Sequence, residues 1–144
     1  MLKLRAEDIT DLEVLSAALQ DAIVPVSDIA YLPDEKRFVF VANRFRWEKD
    51  KGDNIEYERT HCGVTVEGVT AVQRRSLHLS ERGRLLNLLS ITADKESLLL
   101  TFSGNIAIRL ESPRWTVLLA DMGAPWPTVH HPEHPLDAGA DKQR

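Results

Sequence analysis

The chain has one cysteine, Cys62, in 144 residues, so no internal disulfide can form. A chain of about 150 residues buries roughly two thirds of its unfolded surface, enough for a core that needs no disulfide or metal staple. Long apolar runs are missing too. Runs such as Ala22 to Val26 and Val117 to Ala120 are far short of the roughly 20 residues of a membrane-spanning helix. No apolar stretch of signal-peptide length follows Met1-Leu2-Lys3-Leu4-Arg5, and the reading is a soluble cytoplasmic protein in a reducing compartment. There is no glycine-rich phosphate loop, no G-x-S-x-G, no H-E-x-x-H and no cysteine pair. Their absence removes the recognised sequence marks of nucleotide binding, serine hydrolysis and zinc chemistry. Nor is there an excess of positive charge: a net charge of −4 argues against a general nucleic-acid or anionic-membrane binder.

What the chain does have is alternation. Leu98, Leu100 and Phe102 share one parity, Ser103-Gly104-Asn105 follows, and Ile106, Ile108 and Leu110 share the next. A three-residue loop sets Phe102 opposite Ile106, Leu100 opposite Ile108 and Leu98 opposite Leu110, whereas a two-residue loop mixes the faces. A slip of one residue flips every side chain, so the pattern selects the first register and an antiparallel hairpin with one buried face.

Residues Asp8 to Gln20 carry a helical period, with Ile9, Leu12, Leu15 and Leu19 on one stripe and either Asp8 with Asp11 or Thr10 with Glu13 at the cap. Pro25 stops any continuation, and Leu2 and Leu4 suggest a short strand before the helix. Then the period becomes two: Ile29 to Leu32, a turn from Pro33 to Lys36, Arg37 to Trp47, a charged loop from Glu48 to Asn54, and a return strand from Ile55 to Val66. Pairing about Lys51 places Phe38 opposite Val64, Phe40 opposite Cys62, Arg44 opposite Glu58 and Arg46 opposite Glu56, with Phe45 beside Tyr57 and Trp47 beside Ile55. The apolar parity changes after Val66, which predicts a bulge or bend near Gly68. Gln73 to Arg84 reads as a basic loop, Leu85 to Thr92 as a strand, and Trp115 to Met122 as an ordered element of either type. The composition shifts at Ala124, so the division is one domain over residues 1–123 and a proline-rich tail over 124–144, disordered toward its end.

The expected fold is α+β: one N-terminal amphipathic helix on a curled, mostly antiparallel sheet of about six to eight strands. Partial closure into a barrel, in the manner of a pleckstrin-homology-like domain, is an analogy of element order. Three stretches carry a resemblance to a known family: Asp8 to Ala22 with Asp28 to Pro33; Asn43-Arg44-Phe45-Arg46-Trp47-Glu48; and Leu85 to Leu89 with the Phe102 to Leu110 hairpin, Asp121-Met122-Gly123 and Pro132-Glu133-His134-Pro135. On these residues the chain resembles a small bacterial family of domains of unknown function. The resemblance implies a single soluble domain; the family has no assigned activity, so no site residue carries over.

Four constellations invite chemistry. His130, His131 and His134 lie close together, but Pro132 and Pro135 break the helix that would present an i, i+4 pair to a metal, and no metal or other cofactor is expected. His61 and Cys62 are adjacent on a strand and so point to opposite faces, which disfavours a nucleophile pair. Arg37, Arg44, Arg46 and Arg59 interleave with aromatics, as in a single-strand nucleic-acid binder, yet glutamates face two of them; Arg74, Arg75, Arg82 and Arg84 form a second basic stretch read as a solvated loop. Phe45, Trp47, Ile55 and Tyr57 cluster near the hairpin tip, either as a satellite core or as an apolar contact surface. The leading functional expectation is a non-enzymatic module that binds a protein partner or itself through that tip. The alternative is a small-molecule binder or enzyme with a pocket between helix and sheet, its polar groups drawn from Arg59, His61 and His78. A single-stranded nucleic-acid binder stands third.

Overall fold

The computed structural model describes residues 1–47 and 57–128, with side chains described for 1–47 and 58–123. The elements run β1 (Lys3–Ala6), α1 (Ile9–Ala18), β2 (Ala22–Pro25), β3 (Ile29–Leu32), β4 (Arg37–Phe45), β5 (Tyr57–Glu67), β6 (Ala71–Arg75), β7 (Leu85–Asp94), β8 (Ser97–Phe102), β9 (Ile106–Glu111) and β10 (Thr116–Thr128). All pairings are antiparallel. The α+β class holds, with ten strands among the described residues where about six to eight are expected from the sequence. The sheet runs β1-β10-β5-β4-β2-β7-β8-β9-β6, with β3 on β4 beside β2. Among the described residues β1 and β6 end this path, so hydrogen bonding leaves the sheet open.

The helix starts where a carboxylate can satisfy an orphan amide: Asp8 Oδ1 accepts from the Asp11 N–H at 2.8 Å. Leu12, Leu15 and Leu19 are buried against the sheet, whereas Ile9, at the edge of the stripe, is 59% exposed. Ser16 Oγ accepts from the Ile91 N–H at 2.9 Å, pinning the helix to β7. There the register skips between Leu88 and Ser90, and the inward parity passes from Leu86 and Leu88 to Ile91. One inserted residue re-aims the strand so that both halves face the core.

The β8–β9 hairpin has the expected register, with Phe102, Leu100 and Leu98 opposite Ile106, Ile108 and Leu110. Gly68 also bends as expected. Its φ is +89°, and a Cβ there would lie 2.3 Å from the Arg114 carbonyl oxygen, so only glycine fits. Val69 then turns into the core.

Two expectations are corrected, and two further stretches are defined. The β4–β5 register is displaced by two residues: Phe38 faces Val66, Phe40 faces Val64 and Arg44 faces Thr60. A shift of two preserves the faces, so alternation alone cannot exclude it. Residues 71–75, placed mostly in a loop from the sequence, are the edge strand β6; an edge strand tolerates polar side chains on both faces and so shows no period. Pro25 lies beyond the helix as expected, and Ala22–Pro25, assigned to no element from the sequence, is β2 with Pro25 at its last position. Trp115 to Met122, left as either type, falls in strand: β10 runs from Thr116 to Thr128, which lies opposite Tyr57.

Candidate functional site

Of the residues singled out in the sequence, Phe45, Trp47 and Arg59 meet at the far end of β4 and β5. Phe45 closes β4 opposite Arg59, not Tyr57, because of the two-residue displacement. The Arg59 guanidinium lies 5.9 Å from the Phe45 ring centroid and donates to Asn43 O and Oδ1, both at 3.0 Å. Trp47 meets Phe45 edge to face at 4.7 Å, and its indole N–H donates to the Gln20 carbonyl at 3.1 Å. Phe45 is therefore fully buried and Trp47 half-buried. For Phe45 the structure gives the satellite-core arrangement, one of the two that the sequence left open. Ile55 and the Tyr57 side chain lie outside the described residues, as do the Arg46–Glu56 pairing and His130, His131 and His134.

Beneath this corner lies a buried ion pair. Arg44 has the same parity as Phe38, Phe40 and Ala42 and points into the core. It reaches across β5 to Asp121 on β10, with Nε to Oδ1 and Nη2 to Oδ2 both at 2.8 Å. The expected partner, Glu58, bonds Arg46 instead, at 2.6 Å. Two strand spacings are roughly 10 Å, within the span of an arginine. At this level the strand crossed presents the small side chains of Thr60 and Cys62 inward, leaving room. Asp121 is shared: Oδ2 also accepts from the Leu2 N–H at 2.9 Å, and the Asp121 N–H donates to the Leu2 carbonyl at 2.9 Å. One bidentate pair thus ties β4, β10 and the start of the chain together. Burial pushes the Cys62 thiol up to about 12, opposed by nearby Arg44 and reinforced by Asp121. A thiol held neutral is a poor nucleophile.

The groups expected to form a polar pocket are not brought together. Arg59 is spent on Asn43 and Phe45; His61 is exposed on the outer side of β5, opposite Asn43 and Met122; His78 is exposed in the turn after β6. The cleft between helix and sheet, about 280 Å³, is lined by Glu13, Ser16, Gln20, Leu89 and Thr92 among others, and by none of those three. Among the described residues no group of three or more His, Cys, Asp or Glu is placed to hold a metal ion, and no helix is long and apolar enough to cross a membrane.

A family model described as a protein of unknown function (DUF2948) matches residues 2–134. The chain belongs to the DUF2948 family. No curated protein and no solved structure matches it.

The sequence reading missed the outer face of the DUF2948 sheet. In register across β4, β5 and β10, Val39, Thr65 and Leu118 form one row, Val41, Gly63 and Ala120 the next, and Asn43, His61 and Met122 a third. These rows point away from the helix and core. Val39, Val41, Leu118 and Ala120 are half-buried, and Met122 is 46% exposed. Lys3 and Arg5 of β1 border this surface on one side, and the Phe45–Arg59 row continues it toward Trp47. The signal was present as Val39-x-Val41 on the parity opposite Phe38 and Phe40, a strand apolar on both faces.

Proposed function

We propose that this protein is a non-enzymatic contact module that associates with a second copy of itself through the outer face of β3, β4, β5, β10 and β1. One observation carries the reading: aliphatic side chains occupy the solvent side of an antiparallel sheet, where polar ones are the rule. Val39, Val41, Leu118, Ala120 and Met122 form the apolar centre, with Lys3, Arg5, Asn43 and His61 around it. An apolar centre with a polar rim is the anatomy of a protein contact. The aromatic corner at Phe45 and Trp47 adjoins this face and anchors one end of it. The polar groups at the corner support a structural role: Arg44 and Asp121 are spent on each other, and Cys62 is held neutral. A reducing cytoplasmic setting suits that lone buried thiol.

The test is the mass of the full chain in solution, measured by sedimentation from about 1 to 100 μM, the range of moderate association constants. The parent chain is expected to dimerise in that range, and Val41→Lys and Leu118→Lys to sediment as folded monomers. A parent chain that stays monomeric throughout, or lysine variants that dimerise as it does, would falsify the reading.

A further inference from the structure

The opposite end of the sheet carries a second, chemically different surface. β6 is a terminal strand paired only with β9 among the described residues, so alternate backbone N–H and C=O groups along Ala71–Arg75 face outward without a strand partner. Four of its five side chains are exposed; Val72, half-buried, holds the strand to the core. Arg74 and Arg75 project from opposite faces of this edge, and neither has a carboxylate partner among the described residues. Arg75 donates to the Asn105 carbonyl at 3.3 Å. Beside the edge lies a shallow groove of about 270 Å³ lined by Gln73, Arg74, Arg75, Leu99, Ala107 and Arg109. Arg109 adds a third positive charge there, held by Ser97 Oγ at 2.8 Å and facing Asp94 at 3.6 Å. Glu111, opposite Ala71, is the other acid on this face, at the far end from Arg75.

We infer that β6 takes an extended acidic peptide as an added strand, whose carboxylates meet Arg75 and Arg109 on one face and Arg74 on the other. Backbone pairing supplies the docking and the charges supply selectivity, as in other strand-addition sites. The charge pattern selects this occupant. A basic strand would face three arginines, and an apolar one would leave Arg74 and Arg75 without a countercharge. Arginines on an edge also discourage indiscriminate sheet pairing, so the same side chains that protect the edge choose its partner. The surface is separate from the face proposed for self-association, since β6 and β1 stand at opposite ends of the strand order.

The probe is a fluorescein-labelled eight-residue peptide of alternating Val and Glu, with three comparators: its Val-Lys counterpart, the same Val-Glu peptide N-methylated at alternate amides, and a poly-uridylate strand. The full chain is expected to bind the Val-Glu peptide at least tenfold more tightly than any comparator. Arg74→Glu with Arg75→Glu is expected to weaken binding at least tenfold, with β6 and β9 amide shifts lost. Both residues are exposed, so the variant keeps its far-UV spectrum; binding unchanged by it would overturn the proposal. Equal binding of the N-methylated peptide would leave a charge contact and no added strand, also overturning it. Tighter binding of poly-uridylate would make the surface a nucleic-acid contact instead. None of these outcomes depends on whether the chain dimerises.

Discussion

Asp121→Asn should be the most damaging conservative substitution in this protein. Asparagine nearly matches aspartate in shape and keeps one carbonyl oxygen for the Leu2 N–H, so the change removes the charge and sets an amide NH2 against the Arg44 Nε–H, donor against donor. What remains is an arginine with no accessible side-chain surface facing a neutral amide. Breaking a buried pair by removing one partner costs about 3–5 kcal/mol, because the surviving charge stays desolvated. Against a total stability of about 5–15 kcal/mol this is a large fraction. With a urea slope of about 2 kcal/mol/M, the unfolding midpoint should fall by about 1.5–2.5 M. Urea titration followed by far-UV circular dichroism reads this directly. The companion variant, Arg44→Met with Asp121→Leu, removes both charges and should recover most of the loss, since apolar replacements of buried pairs are often near neutral. It should stop short by about 1 kcal/mol, because the Leu2 N–H loses its acceptor. A midpoint shift under about 0.5 M for Asp121→Asn, on that slope, would mean that Arg44 is solvated or otherwise compensated, and the account of the core would be wrong.

Other perturbations probe separate parts of the fold. Gly68→Ala forces a Cβ to 2.3 Å from a backbone oxygen at φ +89°, so it should cost at least about 2 kcal/mol in the same titration; a neutral result would mean the bend can relax. Asp8→Ala removes the helix cap and should cost about 1 kcal/mol, with Asp8→Asn costing less. Cys62 gives a pH signature. Its thiol ionises near the usual 9.0 when unfolded but near about 12 when folded, so its contribution is intact below pH 9 and is lost as the pH rises toward 12. Between pH 8 and 10 the parent should lose about 1 kcal/mol relative to Cys62→Ala, and matching slopes in the two proteins would count against the buried thiol.

How far the sequence specified this structure depends on which symmetry each pattern breaks. The β8–β9 hairpin was legible because a short loop leaves few registers and a one-residue slip exposes its leucines. The β4–β5 pair was legible only up to a shift of two. Favourable charges across the strands suggested Arg44 with Glu58, but exposed pairs of that kind contribute about 0–1 kcal/mol and cannot outvote the packing of Phe38 and Phe40. The aromatic corner followed the same error, since Arg59 takes the place opposite Phe45 that the shifted register gave to Tyr57. β6 left no apolar period to find. The Arg44–Asp121 contact joins residues 77 apart in the chain, a separation that no local pattern encodes.

Parity nevertheless carried a usable signal about the site. On β4 and β10 the binary pattern is broken in both directions. Arg44 and Asp121 sit on the inward parity, while Val39, Val41, Leu118 and Ala120 sit on the outward one. The inward break is resolved within the chain, because the two charges meet. The outward break leaves aliphatic side chains half-buried on the outer side of the sheet, and the proposed self-association rests on them. The two breaks should therefore respond oppositely to substitution. Val41→Lys should change monomer stability by less than about 1 kcal/mol, as ordinary surface changes do, and act on association alone. Ala42→Lys, one residue along and facing the core, should unfold the chain by overpacking and unpaired charge. If both variants were equally destabilised in urea, Val41 would be sealed by the protein's own chain, and the case for an open contact face would fail.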